Sequence, residues 1–247
     1  MPDFNDLLRL LEEAEYTVAF TGAGVSTLSG IRDFRGKDGI YKDRSVNADR
    51  LFDLGYFHEH PGYYYTHTRD MIYDLESRRP NIIHRVCARL EEQGKIRSVI
   101  TQNIDLLHQR AGSRRVVEVH GSPRVHRCLE CDRSFPYADI CRVVQEGRVP
   151  RCDECGGVVK PEITFFGEAL PMAALSQAME EASRSDLMLV LGSTLVVQPA
   201  ASIPLYTARQ GGRLVIVNDA ETPLDDLAAL RYPDLKSCFE FLETHLP

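Results

Sequence analysis

The sequence predicts an α/β fold built on a mainly parallel sheet, and three observations predict it. Short apolar runs recur without clean alternation, helical patterns lie between them, and small or polar residues follow the runs where the chain leaves the expected sheet. Strands covered on both faces read as continuous Val, Ile and Leu, because neither face meets water. Their alternation with helices is the pattern of an α/β domain.

The elements justify this in order. Residues 4–15 repeat leucines at Leu7, Leu8, Leu10 and Leu11, the apolar stripe of a helix, and residues 16–20 form the first strand. Residues 81–93 place Ile82, Ile83, Val86 and Leu90 on one helical face and stop at Gly94, a natural C-terminal cap. Further strands are expected at 96–101, 116–120, 187–192 and 214–218, with helices at 172–183, 200–210 and 235–246. Two stretches break the rhythm. Residues 29–79 carry charges, Gly, Pro and the aromatics Tyr56, Phe57, Tyr63, Tyr64 and Tyr65; residues 123–165 hold paired cysteines and no βα unit. The expected organisation is a large sheet domain from 1–30, 80–122 and 166–247, a loop and helical module at 31–79, and a cysteine-bearing module at 123–165.

Composition narrows the function. The chain has 247 residues, 43% of them hydrophobic, and no apolar run long enough for a membrane span. Residues 1–9 lack the basic start and apolar core of a secretory leader, so a cytoplasmic protein is expected. A net charge of −7 speaks against direct binding of nucleic acid and suits basic partners such as lysine-rich protein segments.

In a cytosolic chain, paired cysteines point to metal rather than to disulfides. Cys128-Leu-Glu-Cys131 and Cys152-Asp-Glu-Cys155 stand 20 residues apart. Each pair on a tight turn offers two thiolates, and two such turns close a tetrahedral shell without an open position. That geometry predicts one structural zinc ion; the ligands alone also fit iron.

Gly22 and Gly24, in Thr21-Gly22-Ala23-Gly24-Val25-Ser26-Thr27, have the spacing of a loop that lets a pyrophosphate approach closely. Thr27 stands where a dehydrogenase fingerprint needs its third glycine, so a hydride-transfer enzyme is a poor match. Thr101-Gln102-Asn103-Ile104-Asp105, Gly192-Ser193-Thr194 and Asn218 follow other strands. Open α/β sheets bind ligands at those carboxyl ends.

These segments resemble the sirtuin family. Gly22-Ala23-Gly24-Val25-Ser26, Gly30-Ile31-Arg32-Asp33-Phe34-Arg35, Thr101-Gln102-Asn103-Ile104-Asp105, Leu107-His108-Gln109-Arg110-Ala111-Gly112, His120-Gly121, the four paired cysteines, Phe165-Phe166-Gly167-Glu168 and Gly192-Ser193-Thr194-Leu195 stand in sirtuin order, over about residues 16–218. The resemblance implies a Rossmann-like large domain with an inserted small domain, a zinc ribbon plus a helical module. It implies an NAD-dependent protein-lysine deacetylase in which NAD⁺ and an acyl-lysine peptide meet in a cleft. The acyl group passes to ADP-ribose and nicotinamide leaves. Mono-ADP-ribosyl transfer at the same NAD site is the alternative.

The resemblance also implies roles. His120 is the general base, since an imidazole titrates near neutrality and can take a proton from a ribose hydroxyl. Asn103 and Asp105 line the nicotinamide pocket, Asp105 also being able to cap the next helix. Gly22, Ala23, Gly24, Gly192, Ser193 and Asn218 hold the pyrophosphate and adenosine side, and Gln102 the nicotinamide ribose. Phe34 and Arg35 belong to a loop that closes over the cofactor. Thr164 and Phe166 flank the acyl-lysine channel, while the backbone at Gly167, Glu168 and Val196 pairs with the peptide as an added strand. Acylated-lysine proteins are thus the expected partners, and a monomer is expected.

Three positions depart from the family pattern: Arg32 replaces a frequent proline, Thr164 a valine and Lys160 an arginine. Sirtuins that favour acidic acyl groups carry Tyr and Arg three residues apart. Here Thr68 stands three residues after Tyr65, and Arg69 one later on the same helical face. Acetyl is therefore expected to be preferred over succinyl.

Overall fold

The computed structural model describes residues 3–36 and 39–246. Met1 and Pro2, which begin the stretch read as lacking a leader, lie outside the described residues, as do Lys37 and Asp38 of the expected cofactor loop and Pro247. The strands, in chain order, are β1 (Thr17–Thr21), β2 (Ile96–Thr101), β3 (Val116–Glu118), β4 (Gly121–Cys128), β5 (Ser134–Pro136), β6 (Val159–Ile163), β7 (Leu187–Leu191), β8 (Arg213–Val217) and β9 (Ala228–Tyr232). The chain divides into two compact units.

The first unit comprises Met1–Ile31, Arg79–Val119 and Met172–Pro247. Its sheet runs β3-β2-β1-β7-β8-β9, and every neighbouring pair is parallel. All residues of β1 and β7 are buried, which is why they read as unbroken apolar runs. On one side of the core, Leu7, Leu10 and Leu11, then Ile83, Val86 and Leu90, and finally Phe239 and Leu242 pack with Val99, Leu189 and Val215. Each such side chain contributes about 1.5–3 kcal/mol by leaving water. Asn81 caps its helix, Ile82–Glu92, in a reciprocal box with His84.

The chain leaves β1 outward through β2 to β3 and returns to add β7, β8 and β9 on the opposite flank. The strand order therefore reverses between β1 and β7, the topological switch point where such sheets take ligands. Two details differ from expectation. The expected helix 200–210 is a short 3₁₀ turn, Ala200–Ser202, followed by a helix Pro204–Arg209, because Pro204 lacks an amide hydrogen and starts a new helix. The sheet also gains the edge strand β9.

The second unit comprises Arg32–Arg78 and His120–Pro171. The domain limits expected at 122 and 166 fall inside it, because β4 already begins at Gly121 and pairs antiparallel with β6, with β5 on its other edge. Phe57, Tyr64, Tyr65, Tyr73 and Phe165 build its aromatic core, mostly edge-to-face at 5–6 Å. The Tyr65 hydroxyl ties this core to the ribbon by donating to the Val159 carbonyl.

Candidate active site

At the switch point the loops after β1 and β7 interlock. Gly22 N donates to Leu191 O and Gly24 N to Gly192 O, both at 2.9 Å. A Cβ on Gly22 would lie 2.7 Å from Gly192 O, and one on Gly24 2.8 Å from Gly192 Cα. The glycine pair is therefore required first by the neighbouring loop, before any ligand. Across the same edge Gln102 Nε2 donates to Ser193 Oγ at 2.8 Å. Asn218 closes β8, buried, with its side-chain amide donating to Ala220 O at 2.8 Å.

Behind β2 lies a buried polar cluster. Asp105 is 6% exposed; its carboxylate accepts from Ser26 Oγ at 2.6 Å and from Leu107 N at 2.9 Å. The second bond is the helix-capping role, and it coexists with the first. Asn103 Nδ2 donates to Gly22 O at 3.1 Å and Ser26 Oγ at 3.2 Å. Burial pushes the Asp105 carboxyl up, against the bonds from Ser26 and Leu107 that pull it down. Leu106, next in the chain, has φ of 63°, a left-handed conformation that costs a non-glycine residue about 1–3 kcal/mol.

Ser26 is the member of this cluster that sequence reasoning left without a role. It is fully buried and also lies 3.4 Å from His84 Nε2. His108, with Nε2 3.1 Å from Thr21 Oγ1, stacks edge-on against His84 at 4.8 Å between centroids. The signal was a hydroxyl within the glycine loop, but its partners come from the distant loop after β2 and from the helix Ile82–Glu92.

His84, His108 and His126 are held neutral by burial, which lowers His84 to about 4, His126 to about 3 and His108 well below the ordinary range. Unfolded, each binds a proton near pH ~6.5. Below that pH the unfolded chain holds more protons, so this stability is complete above pH ~6.5 and is lost on acidification through the folded values. The expected cost by pH ~4 is on the order of 3 kcal/mol each for His84 and His126, with His108 acting in the same direction. Urea midpoints measured from pH 7 down to 4.5 would fall; a flat series would contradict the burial of these rings.

In the second unit, His120 is half-buried in the turn between β3 and β4, and its carbonyl accepts from Thr164 N at 2.8 Å. Gly121 has φ of 77°, and a Cβ there would come within 2.3 Å of Glu162 O, so only glycine can follow this histidine. Phe166 N and O are engaged by Phe52 O and Leu54 N, while its ring is 45% exposed. Thr164 and Glu168 are half-buried and Gly167 is exposed. Phe34 packs against Phe52 at 5.8 Å, and the exposed Arg35 lies 4.7 Å over the Tyr41 ring. Arg32 ties this loop through Asp43 at 2.8 Å. In the first unit, Val196 is 47% exposed.

The four paired cysteines converge: Cys128, Cys131, Cys152 and Cys155 place their sulfurs within 4.8 Å of one another. Cys128–Cys155 and Cys131–Cys152 stand at 3.4 and 3.6 Å. A tetrahedral zinc with bonds of about 2.3 Å needs sulfur–sulfur edges of about 3.8 Å. The residues fit a closed structural zinc site.

A model described as the Sir2 family matches residues 22–199. An NAD-dependent protein deacetylase from Thermotoga maritima is 49% identical over 227 residues, 92% of this chain and 91% of that relative. A solved structure of Sir2 with a p53 peptide and NAD⁺ matches with a TM-score of 0.89 and 45% identity, over 98% of this chain and 97% of that one. Another, of Sir2 with deacetylated p53 peptide and 3′-O-acetyl-ADP-ribose, gives a TM-score of 0.91 and 45% identity over 98% and 96%.

Proposed function

The chain belongs to the Sir2 family, and from that premise we propose how its site works. It is an NAD-dependent protein-lysine deacylase, transferring the acyl group from lysine to ADP-ribose with release of nicotinamide. The observation that carries the assignment of roles is the cluster of buried Ser26 and Asp105 with half-buried Asn103, beside the interlocked glycine loops of the switch point.

When bound, NAD⁺ supplies a leaving group that passes from cationic to neutral as it departs. Asp105 and Asn103 orient the nicotinamide carboxamide. A carboxylate oxygen accepts more than one hydrogen bond, so Asp105 can serve its helix and a ligand amide together. Gly22, Ala23, Gly24, Gly192 and Ser193 bind the pyrophosphate side, Asn218 the adenosine side and Gln102 the nicotinamide ribose. Phe34 keeps water from the reacting carbon and Arg35 contacts phosphate or ribose. His120 takes the proton from a ribose hydroxyl so that its oxygen can attack the acyl carbon. Thr164 and Phe166 flank the acyl-lysine. Because Phe166 spends its own amide and carbonyl on Phe52 and Leu54, a peptide strand adds at Gly167 and Glu168; Val196 is assigned to binding of the same peptide. The same proposal has the protein act in the cytoplasm as a monomer, on acylated lysine segments and not on nucleic acid or membrane. Its net charge of −7 supports the preference for basic segments. Among the described residues no helix is long and apolar enough to cross a membrane.

Acetyl is the preferred acyl group. Tyr65 is 3% exposed with its hydroxyl spent on Val159, Thr68 is fully buried, and Arg69 pairs with Asp70 at the surface. None of them is placed to neutralise an acidic acyl chain, and an unpaired carboxylate in an acyl channel is costly. One experiment tests both statements: nicotinamide release from NAD⁺ alone, with an acetyl-lysine peptide, and with the matched succinyl peptide. Release should depend on peptide, and kcat/KM should favour acetyl by at least about tenfold, or ~1.4 kcal/mol. Peptide-independent release with label left on a protein would replace deacylation by ADP-ribosyl transfer; faster desuccinylation would overturn the acyl preference.

A further inference from the structure

Lys160 carries a charge in an apolar setting. Its side chain is 7% exposed, and Nζ lies 4.2 Å from the ring centroid of Phe165. Such burial is costly unless partners replace the lost hydration. Here Nζ sits 2.8 Å from Glu168 Oε2 and donates to Ile163 O at 2.8 Å and Pro161 O at 3.3 Å. The same Glu168 oxygen accepts from Phe165 N at 2.7 Å.

One ammonium and one carboxylate thus fix Pro161, Ile163, Phe165 and Glu168, four points of a single short segment. Between these fixed points stand Thr164, whose amide reaches back to His120 O, and Phe166-Gly167, which face outward. Gly167 has φ of 97°, so the segment turns there in a conformation that needs to be held. A buried ion pair adds little stability compared with well-packed apolar residues, but it does specify which backbone groups are held and where. Every backbone group held by this pair lies between residues 161 and 165.

We propose that Lys160, acting through Glu168, is a positioning residue for the acyl-lysine peptide, holding residues 161–168 so that Thr164 and Gly167 meet the substrate. This rests on the assignment of residues 164–168 to peptide binding. Lys160 touches no substrate. A peptide that must first order a loosened segment binds more weakly, while NAD⁺, none of whose assigned contacts lies within residues 161–168, does not sense the loss.

The test measures KM for an acetyl-lysine peptide, KM for NAD⁺ and kcat, beside the thermal midpoint. Lys160→Met should raise the peptide KM about ten- to hundredfold, a loss typical of ångström-scale misplacement, with KM for NAD⁺ within about twofold. Lys160→Arg should restore the parent value, which a generic packing defect would not do. Glu168→Gln should act in the same direction, and the double variant should be no worse than Lys160→Met, because both remove one coupled device. If Lys160→Met does not fold, Glu168→Gln carries the test, since it leaves Lys160 its two carbonyl acceptors. An unchanged peptide KM in folded variants, or a rise in both KM values alike, overturns the proposal. Phe166→Ala separates the two levels. If it leaves the peptide KM untouched, the assignment of the segment is wrong; if it raises that KM while Lys160→Met does not, only the clamp is wrong.

Discussion

Replacing His120 with alanine is expected to lower acetyl-lysine turnover by about 10²- to 10⁴-fold, the range that a positioned general base supplies. The loss should appear in kcat and not in binding, because the side chain is assigned to a proton and not to affinity. The fold should survive. What anchors this turn is main chain: Thr164 N bonds to the His120 carbonyl, and Gly121 packs against the Glu162 carbonyl, and alanine at 120 leaves both in place. The thermal midpoint of the variant therefore serves as the control. Turnover within about twofold of the parent in a folded His120→Ala protein would remove the imidazole from the reaction, since even the weakest base contributes more than that.

Removing the metal should have the opposite signature, a loss of structure first and of rate as its consequence. Binding of structural zinc is worth roughly 10–16 kcal/mol in small thiolate modules, comparable with the whole stability of a domain. The ribbon depends on it because β5 is three residues long and Cys131 and Cys155 lie at the surface, leaving little apolar area to hold the turns together. Cys152→Ser, or prolonged treatment with a strong chelator, is expected to release about one zinc per chain. It should lower the thermal midpoint and reduce turnover by more than about 100-fold, because β4 and β6 anchor His120 and Thr164. The decisive measurement is zinc content set beside activity in the same sample. Full activity with the metal demonstrably gone would make the four cysteines bystanders.

How much of this was legible in the sequence follows from burial. β1, β2, β7 and β8 were readable because nearly every residue in them is buried, so their composition reports the environment directly. β9 was not. Ala228-Ala-Leu-Arg-Tyr232 is an edge strand, only its tyrosine is fully buried, and its arginine is engaged with Asp225. The ribbon sheet was hidden for a similar reason: β4 mixes Arg124 and Arg127 with only three buried residues, Pro123, His126 and Cys128, and the helix Tyr137–Gln145 buries only Ile140 and Val144. The candidate site was legible where its chemistry is local. Paired thiols, spaced glycines and polar strand ends announce themselves. The Ser26–His84 and Lys160–Glu168 contacts did not, because neither partner carries a sign of the other until the chain brings them together.

The meshing of the loops at 22–24 and 192 has a consequence for anyone redesigning this enzyme. Because each loop fills the space a side chain on the other would need, neither can be diversified alone. A library that randomises one of them would consist mostly of misfolded proteins, whatever nucleotide it was meant to accept. New cofactor tastes would have to come from exchanging the two as a matched pair, transplanted together from one donor.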